Sequence, residues 1–308
     1  VVSMSEFKGL SETPDTWPKS LFHVALLFST YQIITAAFHP VSTQVLRAGH
    51  VGFLLLMVFL SYPARGSQRP WQPLAWVLGL AGMATAIYQW YFEGDLIQRS
   101  GDLTQADMVV GVVLTVLVFE AARRVMGPAL PIICGLFLAY GLFGQYLPGD
   151  LRHRGYGFDQ VINQLAFGTE GFYGTPTYVS ATYIYLFILF GAFLEQAGMI
   201  RLFTDFAMGL FGHRMGGPAK VSVVSSALMG TITGSGVANV VTTGQFTIPL
   251  MKRFGYRPAF AGAVEATASM GSQIMPPVMG AVAFIMAETI NMPYAEIAKS
   301  ALIPAMLY

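Results

Sequence analysis

The sequence predicts an all-α polytopic membrane protein with a re-entrant helical hairpin and a discontinuous helix. Three observations lead there. Of the 308 residues, 54% are hydrophobic and 11% charged, against about a quarter charged in soluble domains, so much of the surface faces something other than water. The apolar residues gather into runs that match the roughly 20 residues a helix needs to cross a hydrocarbon core about 30 Å thick. Two later apolar stretches are interrupted by glycines and prolines, and non-helical backbone at membrane depth is tolerated only where protein or a cavity surrounds it.

Spans are expected near 21–38, 44–62, 71–91, 106–124, 128–147 and 177–198, after a polar lead-in over 1–20. That lead-in lacks the tripartite order of a cleaved signal peptide. Arg65 and Arg69 follow the second span and Arg123 and Arg124 the fourth, whereas the loop between spans three and four is mostly acidic. The positive-inside tendency then puts the N-terminus in the cytoplasm. Trp71, Trp76, Trp90 and Tyr91 mark the ends of the third span, where an aromatic belt sits. Phe158, Val161, Ile162 and Leu165 recur at helical spacing, the pattern of an amphipathic helix on the external surface. The segment 199–212 is too short to cross comfortably and sets Arg201 and Asp205 one turn apart, so it reads as a cytoplasmic-side arm helix.

The stretch from Pro218 to Met251 has cytoplasmic-type charge on both flanks: Arg214 and Lys220 before, Lys252, Arg253 and Arg257 after. It is shorter than the roughly 40 residues that two full passes need. A hairpin over 218–251 that enters and leaves on one side meets both facts; two tight spans meet only the charges. Its tip falls at Thr233–Asn239, where glycines permit the turn and polar side chains can satisfy freed backbone groups. A second break follows in the helix 258–287. Pro276 and Pro277 lack backbone donors and disfavour the α region upstream, so unwinding is expected over Gly271–Met275, with the two prolines in the first turn of the second half.

Broken helices beside a hairpin are the physical signature of a secondary-carrier site. The N-terminal ends at Ser235–Gly236 and after Pro276 offer N–H groups and a positive dipole end to an anion. Carbonyls near Thr231–Thr233 and Gly271–Gln273 offer oxygens to a cation. The candidate substrate contacts are Asn239, Thr242, Thr243 and Gln273. The unwound Gly271, Ser272 and Gln273 are the candidate ion contacts. Small hydroxylated residues are also ordinary helix-packing residues in membranes, the competing reading for each lone Ser and Thr. Glu265 sits mid-helix and is a candidate proton carrier or cation partner, or else a carboxylate buried against polar neighbours.

Other chemistries find no support. A net charge of +1 gives no bias toward nucleic acid. The single Cys134 excludes a disulfide framework, and His23, His39, His50, His153 and His213 are too scattered for a transition-metal site. No HExxH, GxxxxGK[ST] or Ser/His/Asp arrangement occurs, so neither an enzyme nor a cofactor is expected.

The run MGTITGSGVANVVTTGQFTIPLMKRFGYRPAFAGAVEATASMGSQIMPPVMGAVAFIMAE, 229–288, resembles the hairpin and broken-helix region of the large permease subunit of tripartite ATP-independent periplasmic (TRAP) transporters. RRVMGPALPIICGLFLAYGLFGQYLPG, LRHRGYGFDQ and ATYIYLFILFGAFLEQAG upstream are similar to the fused permeases that work with TAXI-type (TRAP-associated extracytoplasmic immunogenic) binding proteins. The resemblance implies a four-helix small-subunit-like part over 21–124, scaffold helices over 125–216 and the first half of a transport domain over 217–308. It further implies an elevator mechanism in the bacterial inner membrane, uptake of small carboxylates handed over by a periplasmic TAXI-type protein, and coupling to Na⁺, with H⁺ as the variant; the resemblance places the ion at Gly234, Ser235 and Asn239 of the tip and at Gly271, Ser272 and Gln273. A non-transporting membrane scaffold or assembly module is the alternative. Val1 in place of Met, and an apolar run still open at SALIPAMLY, read as the truncated N-terminal portion of a longer permease.

Overall fold

A computed structural model describes residues 19–62 and 72–308, and among these every regular element is a helix. The lead-in up to residue 18, Arg65, Arg69 and Trp71 lie outside the described residues. The helices are α1 (Lys19–Phe38), α2 (Thr43–Ser61), α3 (Gln72–Tyr91), α4 (Glu93–Gln98), α5 (Gln105–Met126), α6 (Ala129–Phe143), α7 (Phe158–Ala166) and α8 (Thr175–Val179). They are followed by α9 (Tyr185–Gln196), α10 (Met199–Phe211), α11 (Gly217–Thr233), α12 (Gly236–Arg253), α13 (Pro258–Met270), α14 (Ala281–Thr289) and α15 (Tyr294–Leu307). Helix is thus found at all six expected spans. Four stretches are long and apolar enough to cross a membrane by length and composition: Ser20–Phe38, Thr43–Ser61, Ala129–Tyr146 and Thr175–Gln196. The last holds a π-helical segment, Ser180–Ile184, between α8 and α9. α6 has no buried residue at all; an apolar helix left bare in this way suits lipid rather than water.

Two units divide at Tyr178 and Val179. In the first, α2 and α3 pack most intimately because glycines let their backbones approach. A Cβ on Gly52 would stand 2.7 Å from the Cβ of Ala86. Gly52→Val is therefore expected to destabilise the protein by about 1–3 kcal/mol through overpacking, read as a lower Tm of the detergent-purified chain. Around this pair Ala48, Leu55, Phe59, Leu114 and Leu117 form the core, joined by Ile162 and Ala166 of α7. The amphipathic helix foreseen at 158–165 thus turns Ile162 onto α5, while Phe158 stays exposed. α5 begins with a capping box around the buried Asp107: Thr104 N and Oγ1 donate to Asp107 Oδ2 at 2.9 and 2.7 Å, and Tyr88 adds a bond to Oδ1 at 2.6 Å. At its other end Glu120 accepts from Arg123 and Arg124, both at 2.7 Å.

The second unit is built on the hairpin. α11 ends at Thr233, Gly234 takes the left-handed conformation at φ 59°, and α12 starts at Gly236 with Ser235 as its N-cap, accepting from Ala238 N at 3.3 Å. α10 lies against α11, and α13 packs against both hairpin arms. α13 opens with Pro258, whose missing N–H is harmless there. It closes in a 3₁₀ turn, Gly271–Gln273, stacked on α11.

The break runs further than the sequence suggested. Pro276 and Pro277 do not begin the second half-helix; α14 starts at Ala281, capped by an extended Gly280 at φ −82°, ψ 164°. Each proline pushes its predecessor out of the α region, and Met279 adopts φ 54°, so no helix forms until Gly280 resets the backbone. Tyr294 of α15 holds this segment, its hydroxyl donating to the carbonyls of Pro277 at 2.8 Å and Val278 at 2.5 Å. The Tyr294 ring stacks on Phe284 of α14 with centroids 4.2 Å apart.

Candidate functional site

The hairpin tip and the broken segment meet at one cleft of about 690 Å³. Gly234 and Ser235 line it from the tip, Gln273 and Gly280 from the break, and Ser300 and Ala301 from α15. The N-termini of α12 and α14 both border it, through Ser235–Gly236 and Gly280–Ala281. Tip and break approach closely through their backbones: a Cβ on Gly234 would fall 1.9 Å from the Met279 carbonyl oxygen. No Arg or Lys lines the cleft. Positive character at the cleft therefore comes from helix ends and N–H groups.

The residues singled out from sequence separate into three layers. Gly234, Ser235 and Gln273 are at the cleft; Gln273 is exposed, its amide donating to Met270 Sδ at 3.7 Å. Behind them Gly271, Ser272 and Asn239 are buried. Asn239 Nδ2 donates to the Ser226 carbonyl at 2.8 Å and to Ser272 Oγ at 2.6 Å. Because a backbone carbonyl only accepts, the orientation of this amide is fixed by its partner. Ser272 Oγ passes its own proton to the Ser269 carbonyl at 2.6 Å. Gly230 is what lets the 3₁₀ turn lie on α11: a Cβ there would stand 2.9 Å from Ser272 Cα.

Deepest is Glu265, with no exposed surface. Ser226 Oγ donates to its Oε1 at 2.9 Å, Ser269 Oγ to Oε1 at 3.0 Å and Ser222 Oγ to Oε2 at 2.6 Å. Thr243 Oγ1 and Thr247 Oγ1 also bond the carboxylate. Five hydroxyls from α11, α12 and α13 therefore surround one carboxylate, which removes the cost that an unpaired buried acid would carry. Thr242 joins none of these layers: its hydroxyl bonds back to the carbonyls of Ala238 and Asn239 on its own helix, at 2.9 and 3.1 Å.

Sequence reasoning passed over Ser222, Ser226 and Thr247. The available signal was spacing: Ser222 and Ser226, Thr243 and Thr247, and Glu265 and Ser269 are all i, i+4 pairs, so each helix presents two polar groups on one face.

The family model described as the tripartite ATP-independent periplasmic transporter, DctM component, matches residues 113–308. The chain belongs to this family. Among its relatives, the C4-dicarboxylate TRAP transporter large permease protein DctM of Pseudomonas aeruginosa is 35% identical over 30% of this chain and 21% of its own. The sialic acid TRAP transporter large permease protein SiaM of Vibrio cholerae is 31% identical over 30% of this chain and 21% of its own. The isethionate TRAP transporter permease protein DctMQ of Oleidesulfovibrio alaskensis is 33% identical over 30% of this chain and 14% of its own. The chain covers less than a quarter of the length of each of these three. No solved structure matches it. TRAP permeases are integral to the membrane, and the bare apolar surface of α6 is in keeping with that.

Proposed function

We propose that this chain belongs to the permease of a TRAP transporter that takes up small organic anions, carboxylates foremost, across the bacterial inner membrane with its N-terminus in the cytoplasm. The observation that carries the reading is the cleft where the hairpin tip, the broken segment and two helix N-termini converge. The substrate carboxylate binds at the ends of α12 and α14, with Ser235 and Gln273 supplying directed hydrogen bonds. The coupling ion is Na⁺, held by backbone oxygens around Gly234 and Gly271–Gln273, a hard-cation donor set. The relatives' names support the substrate class, since C4-dicarboxylates, sialic acid and isethionate are all organic anions.

The hairpin α11–α12 is re-entrant and, with α13 and α14, forms the moving body of an elevator. α1, α2, α3 and α5 are the fused small-subunit-like part, and a periplasmic TAXI-type protein delivers the substrate to the outer face. Proteoliposomes holding the complete permease, supplied with its binding protein and labelled dicarboxylate, test this. Uptake that requires an inward Na⁺ gradient is expected; no uptake of any organic anion under any ion gradient overturns it. Within this reading Gln273→Ala removes one hydrogen bond to bound substrate. It is expected to raise KM about three- to tenfold with kcat close to that of the parent protein, measured in the same uptake assay.

A further inference from the structure

The carboxylate of Glu265 closes a ring. Starting from Oε1, the ring runs through Ser269 Oγ at 3.0 Å, across the Ser269 backbone to its carbonyl, then to Ser272 Oγ at 2.6 Å. From there it passes to Asn239 Nδ2 at 2.6 Å, on to the Ser226 carbonyl at 2.8 Å, and returns through Ser226 Oγ to Oε1 at 2.9 Å. Every side chain in this circuit is fully buried. It draws on α11, α12, α13 and the 3₁₀ turn, the four pieces that support the cleft.

Two features of the ring bear on what Glu265 does. Its oxygens are enclosed by hydroxyls and have no surface, so nothing in the cleft touches them. Each hydroxyl also has one proton to give, and among the described residues Ser222 and Ser269 are shown with no acceptor for theirs other than Glu265. An amide in place of the carboxylate would turn an N–H₂ toward hydroxyls already committed as donors. With its nitrogen in the place of Oε1 the ring opens, and Ser269 at the start of the 3₁₀ turn loses its tie through the carboxyl group to Ser226 of the hairpin.

We infer that Glu265 is a positioning residue of the transport cleft: through Ser269, Ser272, Asn239 and Ser226 it fixes the break at 271–280 against the hairpin, without contacting substrate or ion. This rests on the transport reading for its consequences, while the ring itself can be examined without transport. Ser222 provides the internal control, because it bonds Oε2 at 2.6 Å and lies outside the circuit.

The test compares Glu265→Gln, Glu265→Asp, Ser269→Ala and Ser222→Ala in the complete permease. Amide hydrogen exchange over 271–280 is read on all four, and Na⁺-dependent uptake on all that insert. Glu265→Gln and Ser269→Ala are expected to speed exchange at the break about tenfold, the equivalent of one lost buried hydrogen bond, with Glu265→Asp recovering part of it. The Na⁺ concentration for half-maximal uptake rises by a similar factor. Ser222→Ala lowers Tm yet leaves exchange at the break at the parental rate. If Ser222→Ala and Ser269→Ala alter the break equally, or neither alters it, Glu265 is only a buried acid satisfied by its neighbours and the inference fails. It fails too if Glu265→Gln loses net uptake but keeps substrate exchange, the behaviour of a proton carrier. Should the parent protein transport nothing, the transport reading falls alone and hydrogen exchange still decides the ring.

Discussion

Gly234→Val is expected to cut uptake on the order of 100-fold while the protein still inserts in the membrane. Two costs coincide at this position. The backbone sits at φ 59°, where a non-glycine residue costs about 1–2 kcal/mol and a β-branched one is worse placed still. In addition, the new Cβ would be driven to 1.9 Å from the Met279 carbonyl oxygen. That neighbour is backbone, itself held at a positive φ of 54° within the segment that Tyr294 pins, so it cannot swing aside as a flexible side chain would. The tip must lift off the break, and the cleft between Ser235 and Gln273 changes shape. A displacement of even 1 Å at a binding site costs about two orders of magnitude. Uptake by reconstituted Gly234→Val, with insertion checked by protease accessibility, measures this. Gly255→Val is the control: its φ is also positive, at 88°, and a Cβ there meets nothing within 4 Å, so it bears the backbone cost alone and should keep most activity. Equal losses in the two variants would show that backbone strain, and not the tip–break contact, governs the result.

The turn was legible in the sequence because its information is local. Glycines beside polar residues permit a turn, and the second arm starts at Ser235–Gly236 as expected, with Gly234 serving as a left-handed C-cap and Ser235 as the N-cap. The onset of the second break at Gly271 was equally visible. Its end was not, because two prolines dictate where a helix cannot be but say nothing of where it resumes. That depends on Met279 reaching a positive φ and on Tyr294, which closes over the segment from seventeen residues beyond Pro277. The hydroxyl nest was the least legible part. Each of Ser222, Ser226 and Thr247 alone reads as a packing residue; only the approach of three helices brings their hydroxyls together on Glu265. The same juxtaposition separates Asn239 from Gln273. Both are amides beside breaks, yet one is wholly buried and spoken for while the other is exposed at the cleft.

Substitutions at Asn239 can tell a positioning amide from an ion ligand, and the order of damage is the informative result. Asn239→Leu keeps roughly the volume and deletes the donors to the Ser226 carbonyl and Ser272 Oγ. Leaving buried partners unmet costs about 1–3 kcal/mol each, so uptake should fall about 10- to 100-fold. Asn239→Asp keeps the shape but replaces the donating nitrogen with an accepting oxygen. That oxygen would face the Ser226 carbonyl at the 2.8 Å now spanned by an N–H, an acceptor against an acceptor. It would also place a second carboxylate in the group that already encloses Glu265, linked to it through Thr243, whose Oγ1 lies 3.4 Å from Asn239 Oδ1 and bonds Glu265 Oε1. Like charges sharing a buried site repel strongly. Asn239→Asp should therefore be the more damaging of the two, losing at least 100-fold. Were Asn239 instead a direct ligand of Na⁺, an added negative charge would be tolerated or would tighten ion binding, and leucine would be the worse substitution. Na⁺ titration of uptake by both variants in proteoliposomes reads the order directly. Aspartate outperforming leucine would move Asn239 from the ring to the ion's own coordination shell.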